Sequence, residues 1–149
     1  MSLKDDASML RSIIMDHYEY PRNHSLTDDT TYASKHMASA SCIDDIEVQA
    51  KIENDRIEDI RFDGTACTIA TSSTSIMSEL LRGKTREEAK TIMDQYFGMI
   101  DGKEFDEDIL QEAVAFCNVG RQANRIKCAT IGWRAMAHLM GIEEYQDEK

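Results

Sequence analysis

Proline occurs once in this 149-residue chain, and no low-complexity stretch or internal repeat interrupts it. Nothing therefore marks a linker, and one domain is expected over residues 6–142, with flexible tails at 1–5 and 143–149. No window approaches the ~18 consecutive apolar residues of a membrane span, which excludes a membrane-embedded helix. The start, MSLKDDASML, lacks the cationic and then apolar order of a secretory signal, so a cytoplasmic location is expected. Positive charge is scarce: 17 Lys+Arg stand against 28 Asp+Glu, a net charge of −11. Such a chain repels phosphate backbones and anionic lipid, so neither nucleic acid nor membrane is expected as a partner. Basic protein faces and metal ions remain. There is no P-loop, no G-x-G-x-x-G, no Ser-His-Asp arrangement and no CxxC knuckle.

The polarity pattern is informative. Leu10, Ile13, Ile14 and His17 repeat at helical spacing, predicting a helix over about residues 6–19 that Pro21 stops. Residues 21–37 look irregular. Ile46, Val48, Ala50 and Ile52 then alternate with Glu47, Gln49 and Lys51, the mark of a half-buried strand. A tight turn at Asn54-Asp55 leads to a return strand carrying Ile60 and Phe62, and an edge strand near residues 36–42 completes a small sheet. After Gly64 the period becomes helical. Ile69, Ile76, Met77 and Leu80 share a face, and Gly83 ends that helix. Thr85 and Glu88 have the capping-box spacing ahead of a stripe from Ala89 to Ile100. Asp106 can cap a helix with the stripe Ile109, Leu110, Ala113, Val114 and Cys117, and a last helix runs from about Asn124 to Met140. The expected class is α+β: an N-terminal helix, a small three-stranded antiparallel sheet, then a cluster of about four helices.

Four cysteines in a reducing compartment argue for metal or sulfur chemistry, or core packing, rather than disulfides. Cys42 and Asp44 stand two apart, so on an extended chain they point the same way. Cys67 lies at a loop-to-helix junction in the uncharged stretch GTACTIATSSTS, and Cys128 lies near the start of the last helix. A helix N-terminus lowers a thiol pKa, and Arg125 and Lys127 flank Cys128. Three thiolates and a carboxylate make a four-coordinate set for zinc or for an iron–sulfur cluster. The carboxylate, the harder ligand, is the more readily exchanged. The spacing alone leaves this reading open beside that of small buried residues. Cys117 and His17 sit on apolar faces and read as core. His24 and His36 fall in the irregular segment, and His138 late in the last helix reads as structural. The run Thr71–Ser75 reads as close helix packing.

In order along the chain stand IIMDHYEYPRN, Cys42 with Asp44, FDGTAC, a Ser/Thr-rich helix, LLRGKT and RIKCATIGWRAM. Together, from about residue 10 to 140, these resemble the IscU/SufU family of iron–sulfur cluster assembly proteins. The long stretch between Cys67 and Cys128, with its extra helical material at residues 85–116, resembles the SufU branch. So does Lys127, where the IscU branch has histidine. In three places the chain departs from the family pattern, one of them His24-Ser25 where the family has a glycine after PRN. Ile43 stands between Cys42 and Asp44 where the family has glycine, and Gly64-Thr65-Ala66-Cys67 replaces Gly-x-Gly-Cys.

The resemblance implies that Cys42, Asp44, Cys67 and Cys128 are the ligands of one site for zinc or an iron–sulfur cluster. It implies that Arg125 is the basic residue at the site and Cys42 the sulfur acceptor. It further implies a cysteine desulfurase as sulfur donor and apo iron–sulfur proteins as recipients. The chain would then be a scaffold or acceptor rather than an enzyme in its own right. The alternative is a structural zinc site in a protein-interaction module.

Overall fold

The computed structural model describes residues 2–39 and 43–145. Helix α1 spans Ala7–Glu19, and Asp6 caps it by accepting the Met9 N–H. Three strands follow: β1 (Ala33–Ala38), β2 (Asp45–Glu53) and β3 (Arg56–Thr65). They form an antiparallel sheet in the order β1-β2-β3. Then come α2 (Thr68–Leu81), α3 (Arg86–Ile100), the four-residue α4 (Glu107–Leu110) and α5 (Ala123–Leu139). The expected α+β order is present.

Local chemistry sets most of these boundaries. Asn54 and Asp55 adopt φ of 51° and 64°, the left-handed pair that a two-residue hairpin turn demands. Ile46, Val48 and Ala50 point inward from β2 and are buried, while Asp45 faces solvent. The edge strand lies at 33–38 rather than at 36–42. Its register places Met37 opposite Ile46 and Ala33 opposite Ala50, and Ser39 then donates its N–H to the Asp44 carbonyl. That bond closes the ladder just ahead of Asp44. The irregular segment expected over residues 21–37 ends where β1 begins at Ala33, and residues 21–25 within it are not free. Asn23 accepts the Phe62 N–H, so the segment runs along the outer edge of β3.

The helix expected behind Asp106 is broken. Gln111, at φ 52° and ψ −128°, stops α4 after one turn, and Gln111–Phe116 continues as a 3-10 segment. The apolar stripe still packs: Leu110, Ala113, Val114 and Phe116 are buried. The Thr85–Glu88 capping box forms in both directions.

Helix α2 is the centre of the molecule. It packs between α1 and α5 and also touches β3. Nearly every side is covered, which is why it carries no charge before Glu79 and why Ser72, Ser73, Thr74 and Ser75 are all buried. Small residues let α5 approach closely: a Cβ on Gly132 would lie 2.2 Å from Thr74 Oγ1. The buried hydroxyls are all bonded. Ser73 Oγ donates to the Ala129 carbonyl at 2.7 Å and accepts from Trp133 Nε1 at 3.0 Å. Tyr96, stacked on Trp133, donates to the same carbonyl at 2.6 Å. This network fixes the height of α5 along α2, and with it the relation between Cys67 and Cys128.

Candidate metal centre

Asp44 lies between the end of β1 and the start of β2 and is 1% exposed. A carboxylate so buried needs partners. One is the backbone of the second cysteine: Cys67 N–H donates to Asp44 Oδ1 at 2.8 Å. The contact depends on how closely β3 approaches β2. A Cβ on Gly64, at φ 141°, would lie 2.0 Å from the Asp45 carbonyl oxygen, so only glycine fits there. That approach delivers Cys67 to Asp44.

Cys67 is the N-cap of α2. Its Sγ accepts the Ala70 N–H at 3.4 Å, the place usually taken by a serine or aspartate oxygen. A thiolate there sits at the positive end of the helix. Its Sγ is 3.7 Å from Asp44 Oδ2. Cys128 enters from the opposite side, on α5, and is 5% exposed. One donor atom each from Asp44, Cys67 and Cys128 lie within 4.8 Å of one another. Residues 23 and 61 positions apart in sequence thus converge on one point.

The expectation of a lowered thiol pKa at Cys128 does not hold for the metal-free chain. Cys128 stands in the second turn of α5 and its Sγ points back to the Asn124 carbonyl at 3.7 Å. Burial pushes its thiol up, and the neighbouring Asp44 and Cys67 push it further. These are the same groups that a cation would bring together, so the effect of the cluster depends on what charge it encloses.

Cys42 lies outside the described residues. Arg125 occupies the first turn of α5, three residues before Cys128, and is exposed. Lys127 is half-buried. Cys117 packs against the core at the end of the 3-10 segment, and burial raises its thiol pKa. None of the four histidines joins the donor group. His17 is a satisfied core residue, with Nδ1 2.8 Å from Ser75 Oγ and Nε2 3.1 Å from Glu112 Oε1. His24 stacks near Phe62 and pairs with Asp63. His36 pairs with Asp45 across the sheet. His138 is exposed in the last turn of α5.

Sequence reading missed the chain Ser75–His17–Glu112, because its members come from three distant segments. It has the connectivity of a hydrolytic triad. Ser75 Oγ, however, also accepts the Arg22 N–H at 2.9 Å and is wholly buried, so it has no face to offer a substrate. The chain ties α1 to α2 and to the 3-10 segment.

The family model described as the NifU-like N-terminal domain matches residues 9–149. The chain belongs to that family. It is 35% identical over 138 residues, 92% of each chain, to the zinc-dependent sulfurtransferase SufU of Bacillus subtilis. It is 33% identical over 137 residues to the iron–sulfur cluster assembly scaffold protein IscU of Streptococcus pyogenes, covering 91% of this chain and 85% of that one. The crystal structure of a hypothetical protein superposes with a TM-score of 0.83 at 31% identity, covering 91% and 99% of the two chains.

The donor chemistry of this NifU-like domain fits zinc. Two sulfurs and a carboxylate oxygen are three of the ligands a tetrahedral zinc accepts. Their spacing, within 4.8 Å, suits donors that share one ion.

Proposed function

We propose that this protein is a sulfur acceptor and scaffold in iron–sulfur cluster assembly, taking persulfide sulfur from a cysteine desulfurase. The observation that carries the reading is the convergence of Asp44, Cys67 and Cys128 from three separate elements. Membership of a family that includes a zinc-dependent sulfurtransferase and a cluster scaffold supports it.

Zinc would be held by Cys42, Asp44, Cys67 and Cys128, and when bound it supplies the positive charge that keeps the thiols deprotonated. Each protein group then has a task. Asp44 is oriented by the Cys67 N–H and presents its second oxygen inward. Cys67 is held by its helix terminus and Cys128 by the α2–α5 packing. Cys42 is the acceptor. Its thiolate attacks the terminal sulfur of the desulfurase persulfide; a new S–S bond forms on Cys42, the old one breaks, and the electron pair leaves with the desulfurase cysteine as thiolate. Arg125 supplies positive charge near the sulfur being transferred. Carbon–sulfur bond cleavage stays with the desulfurase, so this chain is the acceptor, and assembled clusters pass to apo iron–sulfur proteins.

A Cys42→Ser variant tests the assignment directly. Sulfur loading from the desulfurase, followed by mass spectrometry of the intact acceptor, should stop in that variant. Undiminished loading would exclude Cys42 as acceptor. The second reading, a structural zinc alone, is favoured by Ile43 in place of the family glycine. It requires that the zinc-loaded protein accept no sulfur and lose fold stability on chelation.

A further inference from the structure

A cleft of about 570 Å³ opens between α1, the start of α2, the 3-10 segment Gln111–Phe116, the 3-10 turn Val119–Arg121 and the start of α5. Its floor is apolar, made by Leu10, Ile14, Ile69 and Val119, and Arg11 and Arg125 line it. In a chain with 28 acidic residues, no Asp or Glu among the described residues lines this cleft. Six of the nine arginines find partners within the fold: Arg22, Arg61, Arg82 and Arg86 pair with aspartates, while Arg56 and Arg134 donate to carbonyl oxygens. Among the described residues the side chains of Arg11, Arg121 and Arg125 make no such bond. Two of these three line the cleft, and Arg121 precedes Gln122, which also lines it. An arginine left unpaired amid an excess of carboxylates is placed to meet an anion from outside. The cleft also adjoins the metal centre, because Thr68, next to Cys67, forms part of its wall.

We propose that this cleft docks a segment of the cysteine desulfurase that carries a carboxylate beside an apolar side chain. The apolar group fills the floor between Leu10 and Val119, and the carboxylate pairs with Arg11, while Arg125 stays at the sulfur site. The chain's net charge of −11 repels other anionic proteins, so the attraction at this cleft sets the approach of the donor to the sulfur site. This inference rests on the sulfur-acceptor reading above.

The test is steady-state sulfur transfer to the zinc-loaded protein from the cysteine desulfurase, with acceptor concentration varied. Arg11→Glu should raise KM for the acceptor by roughly tenfold, with kcat and zinc content unchanged, since Arg11 lies outside the donor set. Arg11→Lys should recover part of the loss, and Arg125→Glu should raise KM as well. Lys103→Glu, an equal charge change on an exposed residue that does not line the cleft, should leave KM unaltered. If Arg11→Glu keeps the original KM while the unmodified protein accepts sulfur, the docking proposal is overturned and the acceptor reading stands. An equal rise for Lys103→Glu also overturns it, because only general electrostatic steering would then be at work. If the unmodified protein accepts no sulfur from the desulfurase, the acceptor reading itself falls and takes this partner with it.

Discussion

Gly132→Ala should weaken both the fold and the candidate metal site. The added Cβ would stand 2.2 Å from Thr74 Oγ1, 2.8 Å from Cγ2 and 2.9 Å from Cβ. Ordinary contacts begin near ~3.5 Å, so the neighbours must retreat by about 1 Å. Threonine cannot rotate out of the way, because it is branched at Cβ and one γ atom always faces α5. Its hydroxyl is also engaged with the Ala70 carbonyl at 2.7 Å. Overpacking of this kind costs about 1–3 kcal/mol. Alanine returns about 1 kcal/mol of helix propensity. The net loss is about 0–2 kcal/mol, or a fall in Tm of up to about 8 °C for a chain of this size. The consequence for function follows from the lever arms. Cys128 is one helical turn before Gly132 on α5, and Cys67 is two turns before Thr74 on α2, so spreading the helices separates the two thiols. Zinc affinity, measured by competition with a chromophoric chelator, should fall by about tenfold. Adding Thr74→Ala, which removes the two nearest atoms, should recover part of both losses. A Gly132→Ala protein with raised Tm and unchanged zinc affinity would refute the argument, and a raised Tm is what an unobstructed Gly→Ala change gives.

The buried hydroxyl network predicts an order of effects. Ser73→Ala leaves the Trp133 indole N–H without its acceptor and should cost about 2–3 kcal/mol, whereas Tyr96→Phe leaves the Ala129 carbonyl still served by Ser73 and should cost about 1 kcal/mol. Urea unfolding measures both, and the reverse order would contradict the network. The metal-free protein should lose stability at alkaline pH. The Cys128 thiol is raised by burial, so its contribution is full below the unfolded thiol value of about 8.5 and disappears as pH climbs through the folded value. Melting curves in chelator should show Tm falling in that range and not when zinc is bound; a flat metal-free profile would exclude the effect. Cys117→Ala should keep full metal content in elemental analysis, because Cys117 lies outside the donor group, while Cys67→Ala should lose it. Equal metal loss in both would assign Cys117 a role it lacks in this geometry.

Much of this protein was legible in its sequence because the signals are local. The 3.6 and 2 periods of apolar residues marked α1, β2, β3 and α3; left-handed turn residues marked the β2–β3 turn, and a capping box marked the start of α3. Alternation and capping are settled by a residue's immediate neighbours, so the chain alone carries them. The break at Gln111 and the position of β1 were not legible. A glutamine at positive φ has no local preference for it, and the register of an edge strand is chosen by what lies across the sheet.

The site divides in the same way. Cysteines and an aspartate named the candidate chemistry, but neither 23- nor 61-residue spacing says that the side chains meet. Their meeting depends on Gly64 letting β3 close on β2, and on Gly132 letting α5 close on α2. The same folding decides the state of Cys128: its place near a helix start suggested a lowered pKa, and burial beside two acidic groups reversed it. What the sequence determined by itself is the element order, the candidate ligand types and the excess of negative charge. Only the tertiary structure decided which residues share a point in space, and which arginines are left facing outward, because both depend on contacts between distant segments that no local preference encodes.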